Sequence, residues 1–120
     1  MSRKDYMRLA FALAKKGLNN TGSNPMVGAV LVKNGLIIGK GYHVEFGGLH
    51  AEANAIVQAA KNGVKIDSAE IYVTASPCYN CFKLIANSGI KIIYYHEFYR
   101  DDRILDRAKE VGIKLVSLED

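Results

Sequence analysis

Proline appears only at Pro25 and Pro77, and no Ser/Pro-rich stretch or run of like charge interrupts the 120 residues. That scarcity excludes the low-complexity linker or disordered tail that such composition produces, and no internal repeat is visible. Long apolar runs are missing too. No segment reaches the roughly 18–20 apolar residues needed to cross a bilayer, and Met1-Ser-Arg-Lys-Asp-Tyr lacks the apolar stretch of a secretion signal. The expected setting is the cytoplasm, without a membrane partner. Cysteine is as scarce, with only Cys78 and Cys81. Three residues apart in a reducing compartment, such a pair binds metal or does redox chemistry more often than it forms a structural disulfide. Nor does one sign of charge dominate, since 16 Lys and Arg face 12 Asp and Glu for a formal +4. The basic residues are scattered. A nucleic-acid partner is therefore not expected, whereas an anionic ligand such as a nucleotide phosphate suits the mild surplus.

What is present is enough for one packed core: 49% of the residues are hydrophobic, and the length is that of one domain spanning residues 1–120. Apolar residues at helical spacing predict a helix over Asp5 to Lys16, with Gly17 as its stop. A valine-rich run from Val27 to Val32, the turn pair Asn34-Gly35 and a second run from Leu36 to Tyr42 predict a β-hairpin. Helix is predicted again over Ala51 to Ala60, with His50 and Glu52 at its entrance. A short strand follows over Glu70 to Thr74. Ser76 as cap and Pro77 at the first helical position predict a helix over Cys78 to Ala86. Ile90 to Tyr95 reads as strand, Asp101 to Val111 as amphipathic helix, and Ile113 to Leu118 as the last strand. The order α-β-β-α-β-α-β-α-β predicts a three-layer α/β/α sandwich around a mixed five-stranded sheet, the hairpin supplying its antiparallel part.

Two segments carry chemistry: His50-Ala51-Glu52 and Pro77-Cys78-Tyr79-Asn80-Cys81, each at a predicted helix start. Cysteines three apart on a helix share a face, so both thiolates can reach one ion at about 2.3 Å. A helix N-terminus favours the thiolate form. Three protein ligands would leave one tetrahedral position for water, the layout of a catalytic zinc site, and zinc acidifies water toward a pKa of about 7. Glu52, two residues from His50, does not share its helix face, which points its carboxylate into the pocket as a proton carrier. Two readings of another class stand beside this one. His43 or His96 could complete a structural zinc site, and a bare Cys-x-x-Cys also occurs in redox proteins.

These residues together resemble the cytidine deaminase superfamily, over nearly the whole chain. The resemblance implies the sheet order 2-1-3-4-5 with the metal between two helix starts. It implies one zinc held by His50, Cys78 and Cys81, Glu52 as the proton shuttle, and a small pyrimidine as substrate. Two branches are recognisable. Ser23-Asn24-Pro25-Met26-Val27-Gly28-Ala29-Val30, with Gly41-Tyr42-His43 and Phe46-Gly47, is similar to the pyrimidine deaminase domain of riboflavin biosynthesis. That branch usually has a longer insertion between its cysteines and a Glu before Pro-Cys, where this chain has Ser76. From His50 onward the chain is more similar to deoxycytidylate-type deaminases, which usually carry Gly-Tyr-Asn in place of Gly41-Tyr42-His43. The expectation is deamination of a cytidylate or deoxycytidylate, with the diaminopyrimidine ribosyl-phosphate of riboflavin synthesis as the alternative. Asn24, His43 and Ser76 are the candidates for substrate contact. Ser76, with the thin basic surface, also sets the chain apart from RNA-editing adenosine deaminases, which usually have Glu there. Tyr94, Tyr95, Phe98 and Tyr99 are expected either at a ligand-binding strand end or in packing, within the core or between copies, since a homo-oligomer is expected. Arg100 and Arg103 are the candidates for a phosphate, unless they pair with Asp101 and Asp102.

Overall fold

Asn34 and Gly35 both take positive φ, 52° and 77°, the conformation that a type I′ turn requires and that these two residue types tolerate best. The turn folds β1 (Gly28–Lys33) back on β2 (Leu36–Tyr42) as antiparallel neighbours, with a register shift between Leu31 and Val32. The computed structural model describes residues 1–16, 26–43, 50–98 and 101–118. Within them, β3 (Glu70–Ala75) pairs antiparallel with the other side of β1. β4 (Ile92–Glu97) and β5 (Lys114–Ser117) then add in parallel, giving five strands in the order β2-β1-β3-β4-β5. The mixed sheet and its order are those expected.

Four helices, α1 (Arg3–Lys15), α2 (Ala51–Lys61), α3 (Tyr79–Asn87) and α4 (Arg103–Val111), complete the element order. Because strand side chains alternate, β1 serves both faces. Val30 and Val32 join Tyr6, Met7, Ala10 and Leu13 of α1, while Ala29 and Leu31 join Ala55 of α2, Phe82 of α3 and Ile104 of α4. A strand covered on both faces reads as a continuous apolar run, which is what Val27 to Val32 is. The three layers follow.

Several boundaries differ from expectation for local reasons. α1 starts at Arg3 because Ser2 and Asp5 form a capping box, each side chain bonded to the other's backbone N–H. α3 starts one residue later than expected, with Cys78 rather than Ser76 as its N-cap. The Cys78 sulfur takes the bond from Cys81 N–H that a hydroxyl would otherwise accept.

Backbone-to-backbone packing fixes α2. A methyl group placed on Gly41 would lie 2.3 Å from the Ala51 carbonyl oxygen and 2.5 Å from Ala55 N, and one on Gly39 would lie 2.3 Å from the Ala55 carbonyl oxygen. Only glycine on β2 allows Ala51, Ala55 and Ala59 to sit this close. Side chains of α2 also reach past these glycines. Gln58 Oε1 accepts from Lys40 N–H (2.7 Å), and Asn54 Nδ2 donates to the Tyr42 carbonyl (2.8 Å). Gly41→Ala is expected to lower the unfolding free energy by about 1–3 kcal/mol, the usual range for overpacking. Because Ala51 follows His50, the same variant should also bind metal less tightly. Urea unfolding checks the first effect and a zinc titration the second; an unchanged unfolding midpoint would show that α2 can move away freely.

Candidate metal and active site

The site forms where two helices begin. His50 is the N-cap residue of α2 in extended backbone conformation (φ −70°, ψ 165°), and its side chain makes no capping bond. Cys78 holds the same position on α3 (φ −69°, ψ 169°). The imidazole is thus left to face the sulfurs, with His50 Nδ1 3.3 Å from Cys81 Sγ and 3.8 Å from Cys78 Sγ. All three donor atoms lie within 4.8 Å of one another. A tetrahedral zinc with nitrogen at about 2.0–2.1 Å and sulfur at about 2.3 Å needs N-to-S separations of about 3.5 Å. The donor set fits that ion in both chemistry and spacing. Among the described residues, no other His, Cys, Asp or Glu joins the group, and His96 meets Phe11 of α1 edge-on, on the opposite face of the sheet.

The Cys78 thiol is drawn from its ordinary 9.0 down to about 4. Hydrogen bonding from the Cys81 side chain is the main cause, aided by the Cys81 backbone N–H and by His50, while burial works in the opposite direction. A depressed thiol means that Cys78 favours the fold as a thiolate. In the metal-free protein that contribution is complete above the ordinary thiol range and disappears as pH falls through about 4. Iodoacetamide at pH 6 should therefore modify metal-free Cys78, where an ordinary thiol is almost fully protonated. Buried Cys81 should lag. Peptide mass spectrometry reads both sites, and Cys78 labelling that begins only near pH 8 would contradict the depressed thiol.

Glu52 lies in the first turn of α2 and is 4% exposed. His43 follows the end of β2, is also 4% exposed, and sets its ring edge-on to His50 with centroids 5.3 Å apart. Its Nε2 is buried and has no hydrogen-bond partner among the described residues. A buried ring nitrogen left in that state is costly unless something polar occupies the space beside it. The Asn54 bond to the Tyr42 carbonyl anchors the chain one residue before His43, and Asn54 N–H bonds the His50 carbonyl (3.0 Å). One α2 residue therefore ties both histidines together, which the sequence reading missed. Ser76 is buried between β3 and Cys78, and its N–H donates to the Glu97 carbonyl at 2.9 Å.

Asn24, Phe46, Gly47, Tyr99 and Arg100 lie outside the described residues. The expected aromatic cluster divides. Tyr94 is buried under α1, stacked on Tyr72 at 4.6 Å, and takes part in the core, away from any ligand edge. Tyr95 turns to the other face and meets Phe98 at 5.8 Å. Strand alternation causes the split, because neighbours on β4 cannot share a face. Arg103 pairs with Asp101 through two of its nitrogens and lies over the Tyr79 ring.

Residues 1–97 match the family model described as the cytidine and deoxycytidylate deaminase zinc-binding region. The chain belongs to that deaminase family. It is 44% identical over 100 residues to the riboflavin biosynthesis protein RibD of Actinobacillus pleuropneumoniae, covering 78% of this chain and 26% of that protein. Among solved structures, the diaminohydroxyphosphoribosylaminopyrimidine deaminase/5-amino-6-(5-phosphoribosylamino)uracil reductase of Thermotoga maritima matches with a TM-score of 0.86 and 38% identity, over 95% of this chain and 35% of that one. The dCMP deaminase of cyanophage S-TIM5, in complex with dCMP and dUMP, matches with a TM-score of 0.83 and 31% identity, over 98% and 99% of the two chains. The deaminase-family chain thus spans about a quarter of the length of its RibD relatives and nearly all of the phage enzyme. Among the described residues no helix is long and apolar enough to cross a membrane.

Proposed function

We propose that the chain is one deaminase domain that hydrolyses the exocyclic amine of a phosphorylated pyrimidine, and that its substrate is of the diaminohydroxyphosphoribosylaminopyrimidine type. The observation that carries the choice is the likeness to RibD at 44% identity over 100 residues, against 31% for the phage dCMP deaminase. His43 supports it, since its buried Nε2 stands where deoxycytidylate-type enzymes usually carry Asn. The cytidylate preference drawn from the short Cys-Tyr-Asn-Cys spacing becomes the second reading.

His50, Cys78 and Cys81 would hold zinc, which when bound supplies the Lewis acidity that makes water a nucleophile near neutral pH. The protein does the rest. Water adds to the ring carbon that bears the amine, a C–O bond forms, and the C–N bond to the amine breaks to release ammonia. Glu52 accepts one proton of the attacking water and passes it to the adjacent ring nitrogen, then takes the second proton from the newly formed hydroxyl and delivers it to the departing amine, leaving a carbonyl on the ring. His43, and Asn24 and Ser76 with it, would contact the polar edge of the ring or its sugar. Copies of the chain are expected to associate, which sedimentation would report as a mass above 13.2 kDa.

The test is ammonia release from the zinc-loaded protein with the diaminopyrimidine ribosyl-phosphate, dCMP, CMP and cytidine. The first should be fastest. Faster turnover of dCMP or CMP would transfer the assignment to the cytidylate reading, and no ammonia from any of them would favour a non-enzymatic zinc module.

A further inference from the structure

Tyr79 directly follows Cys78, and two cations close on its ring. Lys83 Nζ lies 5.1 Å from the ring centroid and Arg103 Cζ 4.4 Å. Lys83 is one turn further along α3, about 6 Å of helix rise, whereas Arg103 arrives from the start of α4. The sheet brings them together. β3 and β4 run parallel, the bond from Ser76 N–H to the Glu97 carbonyl stitches their exits side by side, and the carboxyl ends of parallel strands are where such folds place ligands.

Two like charges on one partly buried ring repel each other, and cation–π attraction offsets this only in part. Asp101 neutralises one of them. It takes Nε of Arg103 at 2.9 and 2.8 Å and also Nη2, so that Nη1 and the Lys83 ammonium make no hydrogen bond among the described residues. The bidentate grip fixes the plane of the guanidinium before any ligand arrives. What remains is a rim of net positive charge around Tyr79, the residue that follows the metal-ligand candidate Cys78.

The geometry points to Lys83 and Arg103, set on either side of Tyr79, as the grip for the phosphate monoester of the substrate. This assignment rests on the deaminase reading above, and it names the part of the substrate that the rim selects. Both side chains are exposed, Arg103 by 67%, so their replacement by methionine leaves the core intact.

The experiment measures kcat and KM of the zinc-loaded protein and of its Lys83→Met, Arg103→Met and double variants, on the best substrate of the panel and on the same compound after phosphatase treatment. Each single variant should raise KM for the phosphorylated form about tenfold, the usual effect of losing one charged hydrogen bond. KM for the dephosphorylated form should not change, and Lys83→Arg should restore tight binding. An equal change on both forms, or none on either, in a protein that still releases ammonia would overturn the phosphate grip and leave the deaminase reading standing. Competition by a short RNA oligomer but not by the product monophosphate would overturn it as well. Failure of the unaltered protein to deaminate any pyrimidine would remove the deaminase reading itself, and the grip with it.

Discussion

Replacing Glu52 by glutamine is expected to cut kcat by about 10²–10⁴, the range that general acid–base catalysis supplies, while zinc stays bound. The amide keeps the shape and burial of a side chain that is 4% exposed, but it can neither accept the proton of water nor deliver one to the ring nitrogen. Because the carboxylate is not one of the three clustered donors, metal content should match that of the unaltered protein by elemental analysis. Rate and metal content would thus separate. If zinc left together with activity, Glu52 would be a ligand and the proton route proposed for it would be wrong.

Cys81→Ala should be the more drastic change, because it acts on the metal directly. It removes one of three donor atoms and, with it, the main hydrogen bond that lowers the Cys78 thiol. Each cause weakens zinc binding, one by ligand number and the other by restoring proton competition at the remaining sulfur. The variant is expected to emerge from dialysis against a mild chelator without zinc and without measurable ammonia release. Circular dichroism should still show the mixed sheet, since the two core clusters lie around the strands and include neither His50 nor Cys78. A full equivalent of zinc in Cys81→Ala would mean that another residue completes the site.

The three clustered metal donors were legible because their chemistry requires fixed spacing. Cys78 and Cys81 must meet at one helix start, as N-cap and third residue of α3, His50 must meet them from a second helix start, and Asn34-Gly35 leaves the preceding chain little choice but a hairpin. Less local features escaped. Nothing in the run Tyr94-Tyr95 says which ring faces α1, because a strand buried on both sides shows no alternation. The closeness of α2 to β2 depends on what lies opposite Gly39 and Gly41, and a glycine in a strand marks a close approach without naming its partner. Cys78 as an N-cap was missed because sulfur is a poor acceptor, and oxygen side chains are the ordinary signal. Substrate identity was the least legible, because the two branches differ at isolated positions such as His43 and Ser76 whose partners come from other elements.

β2 ends the sheet on one side, and an outer strand offers its backbone to any passing chain as a template for aggregation. Here the amides of Asn54 and Gln58 occupy the Tyr42 carbonyl and the Lys40 N–H. An incoming strand would have to break both bonds before it could align with the second half of β2. The helix that presents Glu52 therefore also guards the sheet against growth in that direction, and mutations at Asn54 or Gln58 should surface first as turbidity in concentrated solutions.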